Sequence, residues 1–99
     1  MEKLEEQGAL GDMSRLRRRS NLKTQLVDGE MVVLDRQQGL VHQLNKTASY
    51  IWEQCDGKRT AAEIAGQLCE SFEVDRPTAL NDVLEVLKRL QDLKLIEQV

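Results

Sequence analysis

Apolar and polar residues alternate with a period of two from Leu22 to Val27, and this pattern predicts a β-strand. Asp28-Gly29 follows, a dipeptide typical of two-residue hairpin turns in which both central residues need positive φ. Met31–Leu34 is apolar at successive positions, which suits a central strand covered on one side by helices and partly shielded on the other. The pattern therefore predicts a hairpin whose second strand lies inside a sheet.

A third strand is predicted over Leu40–Leu44, after a short loop that Gly39 can close in the left-handed conformation. Leu40, His42 and Leu44 share one face, and Val41 and Gln43 share the other. This strand completes a three-stranded antiparallel meander. As the last strand, it leaves one edge without a neighbour.

Helical periodicity then replaces the alternation. Asn45 is suited to cap a first helix that the Asp56-Gly57 pair ends, and Thr60 and Glu63 form a capping-box pattern at the start of a second. A third helix begins near Asp75, with Pro77 in its first turn, and continues to about Leu93. The predicted buried stripes of the first two helices are Ala48, Ile51, Trp52 and Cys55, and Ile64, Ala65, Leu68 and Phe72.

The third helix carries more apolar surface than one buried face requires. Its apolar residues cover about half of the circumference, whereas an arc of a little over ~100° is enough for a surface helix. Two interpretations stay open: the excess forms the wall of a binding groove, or it packs under loops and the N-terminal strand. Leu95-Ile96 is expected to close the chain against the core. The apolar residues of the helix are Ala79, Leu80, Val83, Leu84, Val86, Leu87, Leu90 and Leu93.

These elements predict an α+β domain, similar to a winged helix-turn-helix, with a three-stranded antiparallel meander followed by three helices. Residues 1–14 show no sustained period and are expected to be a disordered N-terminal tail, with the domain at 15–99. Composition agrees with one domain, since 99 residues with 40% hydrophobic and 31% charged content suffice for a single core.

Charge weakly disfavours nucleic acid as a partner, because the formal net charge is −3. The basic cluster runs from Arg15 to Arg19. It is interpreted either as an electrostatic arm for nucleic acid or for an acidic protein partner, or as a solvated lead-in to the first strand, and we favour the lead-in.

Residues suited to catalysis are too few to support a mechanism. His42 is the single histidine, and no nucleophile or acid is spaced to work with it. Cys55 and Cys69 lack the spacing of a zinc site and are expected to be buried thiols, with a disulfide between them as the open alternative. We therefore predict a protein that is not an enzyme and holds no metal or cofactor. Without a membrane-length apolar run or a signal peptide, it is expected in the cytoplasm.

An ordered set of short motifs resembles the PqqD family. The set comprises Leu40–Ala48, Ile51-Trp52, Cys55-Asp56-Gly57, Arg59-Thr60, Glu63-Ile64, Asp82-Val83, Leu87, Leu90 and Leu95-Ile96. The match covers about residues 24 to 97. Two departures are visible: only the Gly of the family's Tyr-Pro-Glu-Gly-like turn is kept, at Gly39, and Leu95-Ile96 replaces a C-terminal aromatic residue.

The resemblance implies a non-catalytic peptide chaperone with three antiparallel strands and three helices. Such a module binds the leader segment of a ribosomally made precursor peptide as an added strand and presents it to a maturation enzyme, a radical SAM protein in pyrroloquinoline quinone (PQQ) synthesis. The departures leave open whether the precursor belongs to that pathway or to another, such as that of a lasso peptide.

The resemblance assigns the family's leader-binding role to the third strand and the third helix. Leu40, Val41, His42, Gln43 and Leu44 are predicted to be the backbone partners, and Leu80, Leu84, Leu87 and Lys88 the facing helix. Two alternatives from other classes remain: a winged-helix DNA-binding protein, and a module that dimerises through its free strand edge.

Overall fold

A computed structural model describes residues 10–99 of the chain. Six strands and three helices are formed by these residues. In chain order they are β1 (Arg15–Arg18), β2 (Leu22–Val27), β3 (Glu30–Asp35), β4 (Leu40–Leu44), α1 (Lys46–Gln54), β5 (Asp56–Thr60), α2 (Ala61–Phe72), α3 (Arg76–Asp92) and β6 (Ile96–Gln98).

The predicted meander is confirmed as an antiparallel sheet in the order β2-β3-β4. Asp28 and Gly29 have φ of 53° and 82°, so both central residues of the turn adopt the left-handed region that this turn type requires. Val27 and Glu30 pair across it. Gly39 closes the next loop with φ of 68°.

The three predicted helices are confirmed together with their capping residues. Asn45 Oδ1 accepts a hydrogen bond from the Ala48 N–H at 2.8 Å. Thr60 and Glu63 form the reciprocal capping box of α2. Asp75 caps α3, whose first turn contains the proline. Two positions of the predicted buried stripes differ: Ala48 is only half-buried, and Phe72 is 38% exposed and makes an edge-to-face contact with Tyr50, with ring centroids 5.4 Å apart.

A second antiparallel sheet, in the order β5-β1-β6, was not predicted. The Asp56-Gly57 pair begins β5 instead of only ending a helix, and Ile96 begins β6. The expectation that Arg15–Arg19 is a solvated lead-in is wrong, because these residues include the central strand and Leu16 is completely buried. The α+β class is therefore confirmed, and the winged helix-turn-helix label describes the fold only loosely.

One hydrophobic core joins the two sheets and the three helices. Its largest completely buried side chains come from β1, β3, all three helices and the segment after α3. Residues 10–14 also contact the domain, since the carbonyls of Asp12 and Ser14 accept the N–H groups of Ala62 and Ala61, each at 2.9 Å. The remainder of the predicted tail, residues 1–9, lies outside the described residues. No helix between residues 10 and 99 is long and apolar enough to cross a bilayer.

Candidate functional site

Strand β4 offers an open edge on one side of the meander. Among residues 10–99, β3 is its only strand partner. Leu40 is 45% exposed and Val41 is 65% exposed, although both are apolar. An unpaired edge with exposed apolar side chains is a template for another strand.

The two-residue turn determines which main-chain groups of β3 face each neighbour. Val27 and Glu30 flank the turn and form a hydrogen-bonded pair, after which bonded and non-bonded pairs alternate along the ladder. Glu30, Val32 and Leu34 therefore direct their N–H and C=O groups to β2. Met31 and the other alternate residues of β3, Val33 and Asp35, direct theirs to β4.

The same alternation shows which groups of β4 are free for a peptide. Leu40, His42 and Leu44 lie opposite Asp35, Val33 and Met31, so their main-chain groups face β3. Val41 and Gln43 consequently direct their N–H and C=O groups to the open edge. Of the five residues predicted as backbone partners, these two have main-chain groups that an added strand can reach.

Ser49 of α1 fixes the end of this ladder, a role that no local sequence pattern indicates. Its buried Oγ accepts the Met31 N–H at 2.8 Å and donates to the Leu44 carbonyl at 3.0 Å. One hydroxyl thus joins β3, β4 and α1. Because both main-chain groups are buried, this bridge holds the free edge against the core.

Asp35 fixes the other end of β4. Its carboxylate accepts the Gln38 N–H at 3.2 Å and the Gln38 Nε2–H at 2.8 Å. These hydrogen bonds hold the pKa of Asp35 below its usual range despite burial, and the one from the Gln38 side chain has the largest effect. The loop before Leu40 is therefore held by a charged acceptor.

The two free edges of the sheet differ in how they are protected. The outer edge of β2 carries Lys23, Thr24 and Gln25, and lysine on an edge strand is a common obstacle to unwanted strand pairing. Strand β4 contains no Lys, Arg, Asp or Glu. Of the two edges, that of β4 is therefore less protected against pairing with another strand.

His42 lies on the core-facing side of β4, opposite the buried Val33. Its Nε2 is buried and has no hydrogen-bond partner among the described residues. No cluster of three or more metal-ligating side chains occurs in residues 10–99. Both thiols are free; Cys55 is buried as expected, whereas the expected burial of Cys69 is wrong, because its side chain is only half-buried.

The predicted helix residues do not share one exposed surface. Leu87 is completely buried, so its side chain is inside the core. Leu80 and Leu84 are half-buried against that core. Leu80 also lines a groove of about 960 Å³ between α2 and α3, and Lys88 is exposed and pairs with Asp92 at 3.5 Å. Helix α3 packs mainly against α2, whereas β4 packs mainly against β3 and α1.

The arginines of the basic run bind the chain itself. Arg15 Nε donates to the Lys58 carbonyl at 3.1 Å, and Arg17 Nε pairs with Glu97 at 2.8 Å. Arg18 Nη1 donates to the Glu53 carbonyl at 2.6 Å and lies over the Trp52 ring, and Arg19 Nη1 donates to the Lys94 carbonyl at 3.2 Å. These contacts join β1 to its neighbours and compete with phosphate binding.

Comparison with protein families gives a direct match. The model of the family described as coenzyme PQQ synthesis protein D (PqqD) matches residues 30–96. The chain belongs to the PqqD family. The resemblance inferred from its ordered motifs is therefore confirmed, and the matched region contains β4 and all three helices of this PqqD-family chain.

Solved structures similar to this PqqD-family chain include two leader-peptide complexes. TbiB1 in complex with the TbiA(beta) leader peptide is 28% identical with a TM-score of 0.73, covering 82% of this chain and 94% of that one. A lasso peptide synthetase B1 complexed with its leader peptide is also 28% identical, with a TM-score of 0.73 and coverages of 83% and 96%.

A third structure agrees in fold. The PqqD truncation of Methylobacterium extorquens PqqCD, described as a functional stand-alone recognition element for ribosomally synthesised and post-translationally modified peptides, has a TM-score of 0.76 at 20% identity. The match covers 93% of this chain and 98% of that one. No curated protein matches this chain.

Proposed function

We propose that this protein binds the leader segment of a ribosomally made precursor peptide as an added strand on β4. The observation that carries the proposal is the open edge of β4, where Val41 and Gln43 direct main-chain groups outward and no charged residue blocks approach. The two similar structures that hold leader peptides support the same type of ligand.

The protein then presents the bound precursor to a separate maturation enzyme in the cytoplasm. No catalytic step is assigned to the chain itself, and residues 15–99 form the recognition domain. The enzyme is a radical SAM protein if the precursor is that of PQQ. The higher identity to the lasso peptide synthetase B1 chain than to M. extorquens PqqD makes a lasso-type leader the first peptide to test.

An NMR titration tests the edge directly. The probe is a synthetic lasso-type leader peptide, added to ¹⁵N-labelled protein. We expect the amides of Val41 and Gln43 to shift and to exchange more slowly with solvent, because they gain hydrogen-bond acceptors. A folded protein whose β4 amides stay unchanged at saturating peptide would contradict the proposal.

Two proline variants separate the open edge from the ladder that holds the sheet. Val41→Pro removes an outward N–H and leaves the β3–β4 ladder complete, so we expect a folded protein that has lost most of its leader affinity. His42→Pro removes an N–H that faces β3 and is expected to destabilise the domain. Wild-type affinity in Val41→Pro excludes strand addition at this edge.

A further inference from the structure

The outer face of the meander, turned away from the core, carries rows of side chains that cross the three strands. One row consists of Lys23, Leu34 and Val41, and the next consists of Gln25, Val32 and Gln43. Side chains of one row touch across neighbouring strands and form the contacts that stabilise a sheet. Each row ends at the open edge of β4.

The first row changes from charged to apolar towards that edge. Lys23 lies at the β2 side, Leu34 is half-buried in the middle, and Val41 is 65% exposed at the end. The Val41 side chain is therefore covered by Leu34 on the side of β3 and uncovered on the side of the open edge.

The second row ends in a polar contact. Gln43 Nε2 donates to Glu30 Oε1 at 2.9 Å, which leaves the amide oxygen of Gln43 available as an acceptor. Glu30 and Gln43 are both on the outer face. The end of this row therefore favours a side chain that can donate a hydrogen bond.

A strand added to β4 must continue both rows. Its residues next to Val41 and Gln43 place their side chains on the outer face, because adjacent strands of a sheet share the same alternation. This holds for either direction of the added strand. The two leader residues are two positions apart, and the residue between them faces the other side of the sheet.

We infer that Val41 and Gln43 read the leader on the outer face of the sheet, and that the recognised segment has an apolar residue next to Val41 and a hydrogen-bond donor two positions away, next to Gln43. This inference rests on the proposed function. It assigns side-chain selectivity to the same two residues whose main-chain groups face the open edge, so outer-face contacts add to those made on the core-facing side.

Val41→Lys tests the apolar row, with Val27→Lys as the matched control. Val27 is also a valine on the outer face, 45% exposed, but it lies on β2 at the opposite edge. Since cross-strand pairs contribute about 0.2–1 kcal/mol, we expect Val41→Lys to weaken binding of the lasso-type leader by about 1.4- to fivefold. Val27→Lys is expected to bind as the wild type does.

A charge exchange then identifies the facing residue. Each apolar position of the synthetic leader is replaced in turn by Glu, and binding to wild type and to Val41→Lys is measured by fluorescence anisotropy. We expect one position at which Glu weakens binding to the wild type but restores binding to the variant. Gln43→Leu is expected to weaken discrimination at the position two residues away.

The outcomes separate this inference from the proposed function. If the wild type does not bind the leader at β4, the proposed function fails and this inference fails with it. If the wild type binds there, but Val41→Lys binds equally well and no position shows rescue, the leader is read on the core-facing side alone and only the inference is overturned.

Discussion

At the residue scale, a few polar atoms decide whether the open edge is held in place. Ser49 Oγ bridges the Met31 N–H and the Leu44 carbonyl, and the Asp35 carboxylate holds the loop before Leu40. These two residues fix the two ends of β4. The proposed backbone partners of a leader peptide therefore depend on side chains that need not touch it.

Ser49→Ala is expected to lower the free energy of unfolding by about 1–3 kcal/mol, because it leaves a buried N–H and a buried carbonyl without their common partner. Urea unfolding followed by circular dichroism measures the change. Ser71→Ala is the control, since its exposed hydroxyl bonds only the Tyr50 hydroxyl. Equal stability of the two variants would show that the bridge adds nothing.

Cys55 gives a pH dependence of known sign. Burial raises the pKa of its thiol from 9.0 to about 12 despite the nearby Arg18. Above about pH 9 the unfolded chain releases this proton while the folded protein keeps it, so the free energy of unfolding decreases as pH rises towards about 12. Below about pH 9 this loss is absent.

Unfolding measured from pH 8 to pH 11 in wild type and Cys55→Ala isolates this contribution, because the other groups that titrate are shared. We expect a steeper loss of stability in the wild type. Cys69→Ala, at a half-buried thiol, is expected to keep the wild-type slope. Parallel curves for wild type and Cys55→Ala contradict the assigned burial effect.

At the scale of elements, the sequence predicted those with local signals. The turn at Asp28-Gly29 and the three helix caps are determined by residues within about four positions of each other. The second sheet has no such signal. In β1 a single apolar residue, Leu16, lies among arginines, and β6 has three residues, so both strands form through pairing with distant parts of the chain.

Thr60 shows how closely these elements are joined, since it ends β5 and caps α2. Thr60→Ala is expected to lower the free energy of unfolding by about 1 kcal/mol, because the Glu63 N–H loses its acceptor. Thermal unfolding measures the loss. Thr60→Ser keeps the hydroxyl and is expected to recover most of the stability; a serine variant as unstable as the alanine variant would point to lost methyl packing.

At the scale of the whole molecule, the arginine run has a structural role that the sequence does not indicate. In the sequence it is a basic cluster, whereas in the fold each guanidinium from Arg15 to Arg19 binds a carbonyl or carboxylate of another segment. The run joins β1 to β5, α1 and the C-terminal segment. This arrangement weakens the alternative of DNA binding, because the guanidinium groups must leave their partners within the chain before they can bind phosphate.

Leader binding should stabilise the whole domain if it occurs on the folded edge. At about 100 times its dissociation constant, a ligand adds about 2.7 kcal/mol to the free energy of unfolding, and each 1 kcal/mol raises Tm by about 4–8 °C in a domain of this size. We expect a rise of about 10 °C or more by differential scanning fluorimetry. Val41→Pro should show no rise, and an equal rise in both proteins would place the peptide elsewhere.

The sequence by itself determined the meander, its turn, the three capped helices and the family, because each depends on short-range patterns or on their order along the chain. Only the tertiary structure decided that Leu87 is inside the core, that Ser49 secures the open edge, and that Val41 and Gln43 are the two residues whose main-chain groups face outward. These facts depend on which distant segments pair and in what register, and contacts between distant segments leave little trace in local periodicity.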